Sequence, residues 1–248
     1  MKENRIIILQ QTDSTSSYMA RNAAAMHHGD VVAAVSQTAG RGQRGNSWEA
    51  SPGLNVTMSM MLRPASWPVS RSFGISEAVA LAVCDTIAGV TAGQVPAMIK
   101  WPNDIYVADS KIAGILIENA LRGPMVDRSI VGIGLNVNQP EFVSDAPNPV
   151  SLRQITGREH PVRDVLETLS TCVMRRLRQL ETAGADALHV EYMSRMWRGK
   201  GWHPFVVTAT GERFVASVDS VALTGHLTLV TDAGHRRTYA FKEVAWPL

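Results

Sequence analysis

The sequence predicts an α/β (α+β) chain: strands and helices together build a larger unit at 1–199, and a small all-β unit follows at 200–248. Three patterns carry this. Short apolar runs at 31–35 and 111–119 and an alternating run at 54–62 read as strands. Segments 72–90 and 162–183 repeat apolar residues at helical spacing. Beyond Gly199 and Gly201, strand patterns recur at 204–209, 213–221, 226–231 and 237–243, which predicts a small β-barrel or sandwich joined by a glycine hinge.

From the N-terminus, Arg5 to Leu9 is a short strand. The run Gln10 to Ser17 then carries Asp13, Ser14, Thr15 and Ser16 ahead of an Ala/Met-rich stretch, a helix-start signal for a helix over 16–28 that Gly29 ends. Ser14, Thr15 and Ser16 read either as capping residues or as hydroxyls offered to a polar ligand. Val31 to Val35 is a buried strand. Leu54, Val56, Met58, Met60 and Leu62 alternate with Asn55, Thr57 and Ser59, the pattern of a half-buried strand.

Between those strands lies Gly40-Arg41-Gly42-Gln43-Arg44-Gly45, with Gln37 before it and Trp48 after it. Glycines let backbone N–H groups approach an anion, and arginines add permanently charged forks. The spacing also fits G-x-G-x-x-G, but that fingerprint needs a helix to start inside it. Here Asn46, Ser47, Pro52 and Gly53 lead into a strand, so the dinucleotide reading fails. A solvated surface loop is the plain alternative.

Further on, 72–90 is a helix with Ile75, Val79, Val83 and Ile87 on one face, and Ala97 to Lys100 is a strand. Lys100-Trp101-Pro102-Asn103-Asp104 is a turn richer in function-bearing side chains than a turn requires. Ile105 to Val107 and Lys111 to Asn119 are strands, and so is 129–137, where Gly132 and Gly134 signal a close approach by ligand or backbone. Lys111 reads as a solvated strand end or as a charge at the mouth of a cleft. Asn136 reads as a turn residue or as a polar group aimed into that cleft. Helices follow at 162–183 and 185–198.

Composition narrows the classes. The chain has 248 residues, 45% hydrophobic and 19% charged, with a formal net charge of +2, which gives no case for bulk nucleic-acid binding. The run Ile6 to Leu9 is too short for a signal peptide or a membrane span. Cys84 and Cys172 fall on apolar helix faces and read as buried thiols, and His27-His28 as solvated helix residues. A soluble, cytoplasmic protein without a membrane partner is expected.

Taken together, Gly40 to Gly45 with Trp48, Lys100 to Asp104, Lys111-Ile112-Ala113-Gly114-Ile115-Leu116 and Gly132 to Asn138 resemble the biotin–protein ligases in content, order and spacing. The resemblance implies a mixed-sheet catalytic unit with flanking helices and an SH3-like C-terminal barrel. It implies that biotin and MgATP form biotinyl-5′-AMP, from which a lysine of a biotin carboxyl carrier domain takes the biotinyl group. By position it assigns Ser14, Thr15, Ser16, Gln37, Arg41, Gly42, Gln43, Lys111 and Gly114 to biotin. Gly40, Arg44, Gly45, Trp48, Asn103, Gly134 and Asn136 fall to ATP and the adenylate, with Trp48 stacking on adenine. Lys111, Arg41 and Asp104 are the expected catalytic residues, and Asp104 either binds Mg²⁺ or assists deprotonation of the incoming lysine.

Two departures from the family stand out. Gln43 occupies a position where relatives often carry arginine, which removes one charge from the loop. The first catalytic strand begins at Arg5, so a ligase without a DNA-reading domain is expected; a homodimer remains open. The rival readings are a lipoate or octanoyl transferase, which in the octanoyl case needs a catalytic cysteine, and a biotin-binding module without turnover.

Overall fold

The computed structural model describes residues 5–143 and 147–247, apart from the side chain of Arg44. Strand β1 (Ile6–Thr12), helix α1 (Thr15–Arg21) and β2 (Val31–Gln37) form a parallel crossover, and β3 (Val56–Leu62) returns antiparallel to β2. After α2 (Phe73–Val90) come β4 (Ala97–Lys100), β5 (Asp104–Val107), β6 (Ser110–Arg122) and β7 (Met125–Leu135), an antiparallel run. The seven strands stand in the order β1-β2-β3-β7-β6-β5-β4. The expected mixed sheet is present, with β1–β2 its parallel pair.

Helix α1 is shorter than the predicted 16–28. Asn22 closes it, sending both its backbone N–H and its Nδ2 to the carbonyl of Tyr18 (3.1 and 2.8 Å). A 3₁₀ turn over Ala23–Ala25 follows. His27 and His28 therefore lie past the helix, where His28 Nδ1 accepts the N–H of Arg63 (3.1 Å).

Register decides which side of the sheet becomes functional. Pairing places Thr57, Gly134 and Gly114 in one row across β3, β7 and β6, then Ser59, Gly132 and Leu116, then Met61, Ile130 and Glu118. Because side chains alternate along a strand, these three rows share one face. Met61 and Ile130 pack under α1 with Met19, Met26 and Val32, covering that end of the face. The other two rows are left as a floor.

The opposite face carries the main core under α2, α4 (Val162–Ala183) and α5 (Ala185–Ser194). The segment Val69–Val90 is long and apolar enough to span a membrane (mean hydropathy 1.6), but 72% of its most apolar 18-residue window is buried in the protein as a core helix. A five-residue helix, α3 (Leu152–Thr156), was not expected. A capping box nucleates it: the Ser151 hydroxyl accepts from the Gln154 N–H while Gln154 Oε1 accepts from the Ser151 N–H.

Arg176 on α4 joins the three helices. It donates to both oxygens of Asp85 on α2 (2.7 and 3.0 Å) and both of Glu191 on α5 (2.6 and 2.7 Å). Arg175 and Arg195 also reach Asp85. Arg176→Ala is expected to cost about 3 kcal/mol, the low end for breaking a buried pair because Asp85 keeps other partners. Urea unfolding monitored by circular dichroism measures it; a loss under about 0.5 kcal/mol contradicts the assignment.

The C-terminal strands β8 (His203–Val207), β9 (Arg213–Val221), β10 (Leu227–Thr231), β11 (Arg236–Tyr239) and β12 (Val244–Ala245) form an open sheet in the order β11-β10-β9-β8-β12. The expected SH3-like barrel is not formed. Among the described residues β11 and β12 do not pair, and the predicted strand 237–243 is broken by a turn at 240–243. A two-residue β12 is too short to close a barrel. The sheet buries its apolar side against the rest of the protein instead: Phe241 packs on Phe73 and Trp101, and Trp246 on Trp101, Trp197 and Phe205. The Trp101 Nε1 donates to the Gly225 carbonyl (2.9 Å), so the Lys100–Asp104 turn is also the anchor for this sheet.

Candidate active site

The floor left uncovered by α1 opens into a cleft of about 740 Å³. Among the expected site residues, Ser14, Thr15, Ser16, Gln37, Arg41, Gly42, Gln43, Gly45, Trp48, Asn103, Asp104, Lys111, Gly114 and Gly134 all line it. They come from stretches far apart in sequence, and the sheet brings them together.

At one end, Ser14, Thr15 and Ser16 are buried at the start of α1. The hydroxyls of Thr15 and Ser16 each hydrogen-bond the hydroxyl of Ser59 (2.8 and 2.9 Å), and the Thr15 N–H donates to Gln37 Oε1 (2.8 Å). Ser59 and Thr57 were not anticipated as site residues, and Gly132 was singled out only as a glycine inside a strand. A Cβ on Gly132 would sit 2.8 Å from Ser16 Oγ, so glycine there makes room for the hydroxyl cluster. The signal was present in sequence as a glycine inside a strand and as polar alternates in β3. All seven β3 residues are buried, so the expected half-buried strand is corrected: on its polar side Thr57 lines the cleft and Ser59 is buried beneath Thr15 and Ser16.

The Gly/Arg loop is a small hairpin. Gly42 N–H donates to the Asn46 carbonyl (2.6 Å), Trp48 N–H to the Gly40 carbonyl (3.0 Å), and Gln43–Gly45 form a 3₁₀ turn. Gly40 does not line the cleft; its absent side chain lets the hairpin close against the Trp48 carbonyl, 2.6 Å from where a Cβ would stand. Arg41 reaches across to β6 and grips both Glu118 oxygens (2.7 and 3.1 Å). The side chain of Arg44 lies outside the described residues.

Trp48 lies on a glycine floor. Cβ atoms on Gly134 and Gly114 would stand 2.2 and 3.0 Å from its indole. Its Nε1 is buried and makes no hydrogen bond among the described residues. Beside it, Lys111 Nζ lies 5.8 Å from the ring centre and 2.7 Å from Asp104 Oδ1. Lys111 is held by backbone as well: its N–H donates to the Asn148 carbonyl (2.7 Å) and its carbonyl accepts the Val150 N–H (2.9 Å).

Two expected residues play supporting parts. The Asn103 Nδ2 donates to the Ile115 carbonyl (2.8 Å), which fixes the turn that presents Asp104. Asn136 is buried but does not line the cleft; its Nδ2 donates to the Val150 carbonyl (3.0 Å), steadying the segment that holds Lys111. The neighbouring Lys100 packs over Tyr106 and Trp197 and donates to the Tyr106 hydroxyl (3.0 Å), with burial pulling its pKa down. An unexpected member, Lys242 from the C-terminal sheet, lines the cleft and donates to the Gln43 carbonyl (3.3 Å).

Among the described residues no group of three or more His, Cys, Asp or Glu side chains is placed to hold a metal. Among the described residues Asp104 is the one carboxylate lining the cleft, and Lys111 occupies one of its oxygens. Cys84 is buried in α2 with its thiol pushed up to about 12 by desolvation, so it is inert and remote from the cleft.

The profile of the Biotin/lipoate A/B protein ligase family matches residues 8–136. The biotin–[acetyl-CoA-carboxylase] ligase of Paracoccus denitrificans is 33% identical over 196 residues, 77% of this chain and 80% of that protein. The bifunctional ligase/repressor BirA of Bacillus subtilis is 31% identical over 238 residues, 94% of this chain and 70% of that protein. In fold, the chain is similar to the biotin protein ligase of Aquifex aeolicus crystallised with biotin and ATP (TM-score 0.79, 22% identity, 98% of each chain). The matched stretch begins in β1 and runs just past β7, so it contains the glycine floor, the Gly/Arg hairpin and Lys111. The chain belongs to the biotin/lipoate A/B protein ligase family.

Proposed function

We propose that the chain is an ATP-dependent biotin–protein ligase. It joins biotin to ATP as biotinyl-5′-AMP with release of pyrophosphate, then passes the biotinyl group to a lysine of a biotin carboxyl carrier domain. The observation that carries this is the placing of Lys111, poised by Asp104, beside an indole seated on glycine. A cation next to a flat aromatic surface suits a carboxylate that must meet the α-phosphate of an adenine nucleotide.

In this reading biotin lies over the Ser59–Gly132–Leu116 row. The Ser14–Ser16 hydroxyls and Gln37 hold its polar ring end, and Gly42, Gln43 and Gly114 flank the chain that leads to its carboxylate. Adenine stacks on the face of Trp48 turned away from Gly134. Gly40, Arg44, Gly45 and Asn103 shape the hairpin and turn around the nucleotide, and Asn136 acts through the Lys111 support. Lys111 holds the carboxylate against the phosphate; Arg41 and Lys111 offset the charge that grows as pyrophosphate leaves. The cleft walls exclude water from the mixed anhydride.

The donor set fits a Mg²⁺ that travels with the ATP phosphates rather than a resident metal, since Mg²⁺ keeps waters and phosphates and takes one or two carboxylates. Asp104 is the carboxylate available for it, and the ion would supply charge neutralisation on the phosphates. The octanoyl-transfer alternative needs a thiolate at the cleft, and Cys84 and Cys172 are both buried in helices and line no part of it.

The test is intact-mass analysis of a purified carrier domain incubated with the protein, ATP and biotin or lipoate. One biotinyl group per domain, dependent on ATP and absent with lipoate, is the expected result; an unmodified carrier with biotin overturns it. Gln43 adds a second prediction. Its side chain lines the cleft without charge, so Gln43→Arg is expected to slow biotinyl-5′-AMP release by roughly fivefold through a new contact to phosphate. Stopped-flow displacement reads this directly, and an unchanged rate contradicts it.

A further inference from the structure

Arg41 is assigned to the adenylation chemistry, but its partner Glu118 has no part in that chemistry, so the pairing needs another explanation. Arg41 leaves the hairpin between β2 and β3, whereas Glu118 stands on β6. In the sheet, β3 and β7 lie between them. The side chains therefore bridge over the floor itself. Glu118 belongs to the third row, next to Ile130, one row beyond Gly132 and Leu116. Trp48 rests on the first row, over Gly134 and Gly114. Trp48 closes one side of the Ser59–Gly132–Leu116 row and the ion pair closes the other.

The contact is a two-pronged one, Nη2 to Oε1 at 2.7 Å and Nη1 to Oε2 at 3.1 Å, a geometry that fixes the plane of the guanidinium as well as its position. The base of Arg41 is fixed too, because its backbone bridges Ser47 across the hairpin. Both side chains remain part-exposed, 43% and 37%, so the pair is weak enough to open for an entering ligand and is screened by salt. The other cleft cation on the floor side, Lys111, has its own carboxylate in Asp104.

We propose that Glu118 is a positioning residue: it holds Arg41 as a strap across the cleft, and the strap sets how long the acyl-adenylate stays bound. The inference rests on the biotin-ligase reading for the identity of the ligand. Glu118 touches no reacting atom in this scheme; it acts through Arg41. Ligand enters when the pair opens and is retained when it reforms above the second row. Glu118→Gln keeps the shape and one hydrogen bond but removes the charge, so the strap opens more often.

The experiment uses synthetic biotinyl-5′-AMP, so that catalysis does not enter. Wild type and Glu118→Gln are loaded with it, and its release into excess unlabelled ligand is followed by tryptophan fluorescence at low and at high salt. Release from Glu118→Gln is expected to be roughly fivefold faster at low salt. High salt should speed release from wild type toward the variant's rate and move the variant less. Glu118→Asp, which keeps the charge, should restore part of the retention; a role confined to folding would not track charge in this way. Unchanged or slower release from Glu118→Gln overturns the proposal, and so does equal salt dependence in the two proteins. Failure of wild type to bind biotinyl-5′-AMP overturns the ligase reading itself, which separates the two failures.

Discussion

Lys111→Ala is expected to lower the single-turnover rate of biotinyl-5′-AMP formation by roughly 10²–10³-fold, the loss of about 2.7–4 kcal/mol seen when one preorganised charge-stabilising donor is removed. The size follows from where the ammonium sits. It is held between Asp104 and the Trp48 ring, and backbone bonds to Asn148 and Val150 fix the strand that carries it. An exposed lysine on a free strand end would reorganise during the reaction and contribute far less. Asp104→Asn is expected to be milder, because it leaves the cation and removes only its anchor. A Lys111→Ala rate within threefold of wild type would show that another group carries the charge, and Arg41 would be the next residue to replace.

The second large effect is expected at a residue with no side chain. A Cβ on Gly134 would stand 2.2 Å from Trp48 Cε2 and 2.5 Å from its Nε1. That is far inside contact distance, and the indole cannot yield by a small rotation because Gly114 lies under its other edge at 3.0 Å. Gly134→Ala should therefore lift Trp48 off the floor, blue- or red-shifting its emission and raising the KM for ATP at least tenfold, about 1.4 kcal/mol. Biotin affinity should change less, because the hydroxyl cluster is one row away. Gly132→Ala should do the reverse, since its Cβ meets Ser16 Oγ at 2.8 Å. Equal effects of the two variants on both substrates would contradict the division of the floor into a nucleotide row and a biotin row. Melting temperatures of both variants separate this from unfolding.

The sequence displayed the site as local motifs and hid the parts that depend on register. Arg41, Trp48, Asp104 and Lys111 are legible because each belongs to a short run whose composition makes no sense as packing. Ser59 and Thr57 were not, because in an alternating strand the polar residues point by default to solvent. Only the pairing of β3 with β7, and the closure of α1 over the next row, turn that side toward the cleft and the α1 hydroxyls. Glu118 carried no signal of its own within the strand 111–119, because its partner lies 77 residues earlier. Lys242 is farther still and depends on how the C-terminal sheet docks.

The strands of that sheet were legible, since β9 spans the predicted 213–221. Its closure was not, because regular strand spacing is shared by barrels and open sheets. The outcome turned on aromatic side chains: Phe241 and Trp246 find partners in Trp101, Phe73 and Trp197 across the interface. Trp101 thus had a use that the Lys100–Asp104 motif did not reveal. The helix boundaries tell a similar story, with α4 spanning the predicted 162–183, α1 cut short by Asn22 and α5 ending at Ser194 rather than 198.

The most direct test of the central claim is biotin-dependent exchange of pyrophosphate into ATP, with Lys111→Ala as the control. Exchange that requires biotin, ignores lipoate and collapses in the variant is the predicted result, because the first half-reaction is reversible only if biotinyl-5′-AMP forms in this cleft. Exchange that proceeds with lipoate in place of biotin, or no exchange in the wild-type protein, would contradict it.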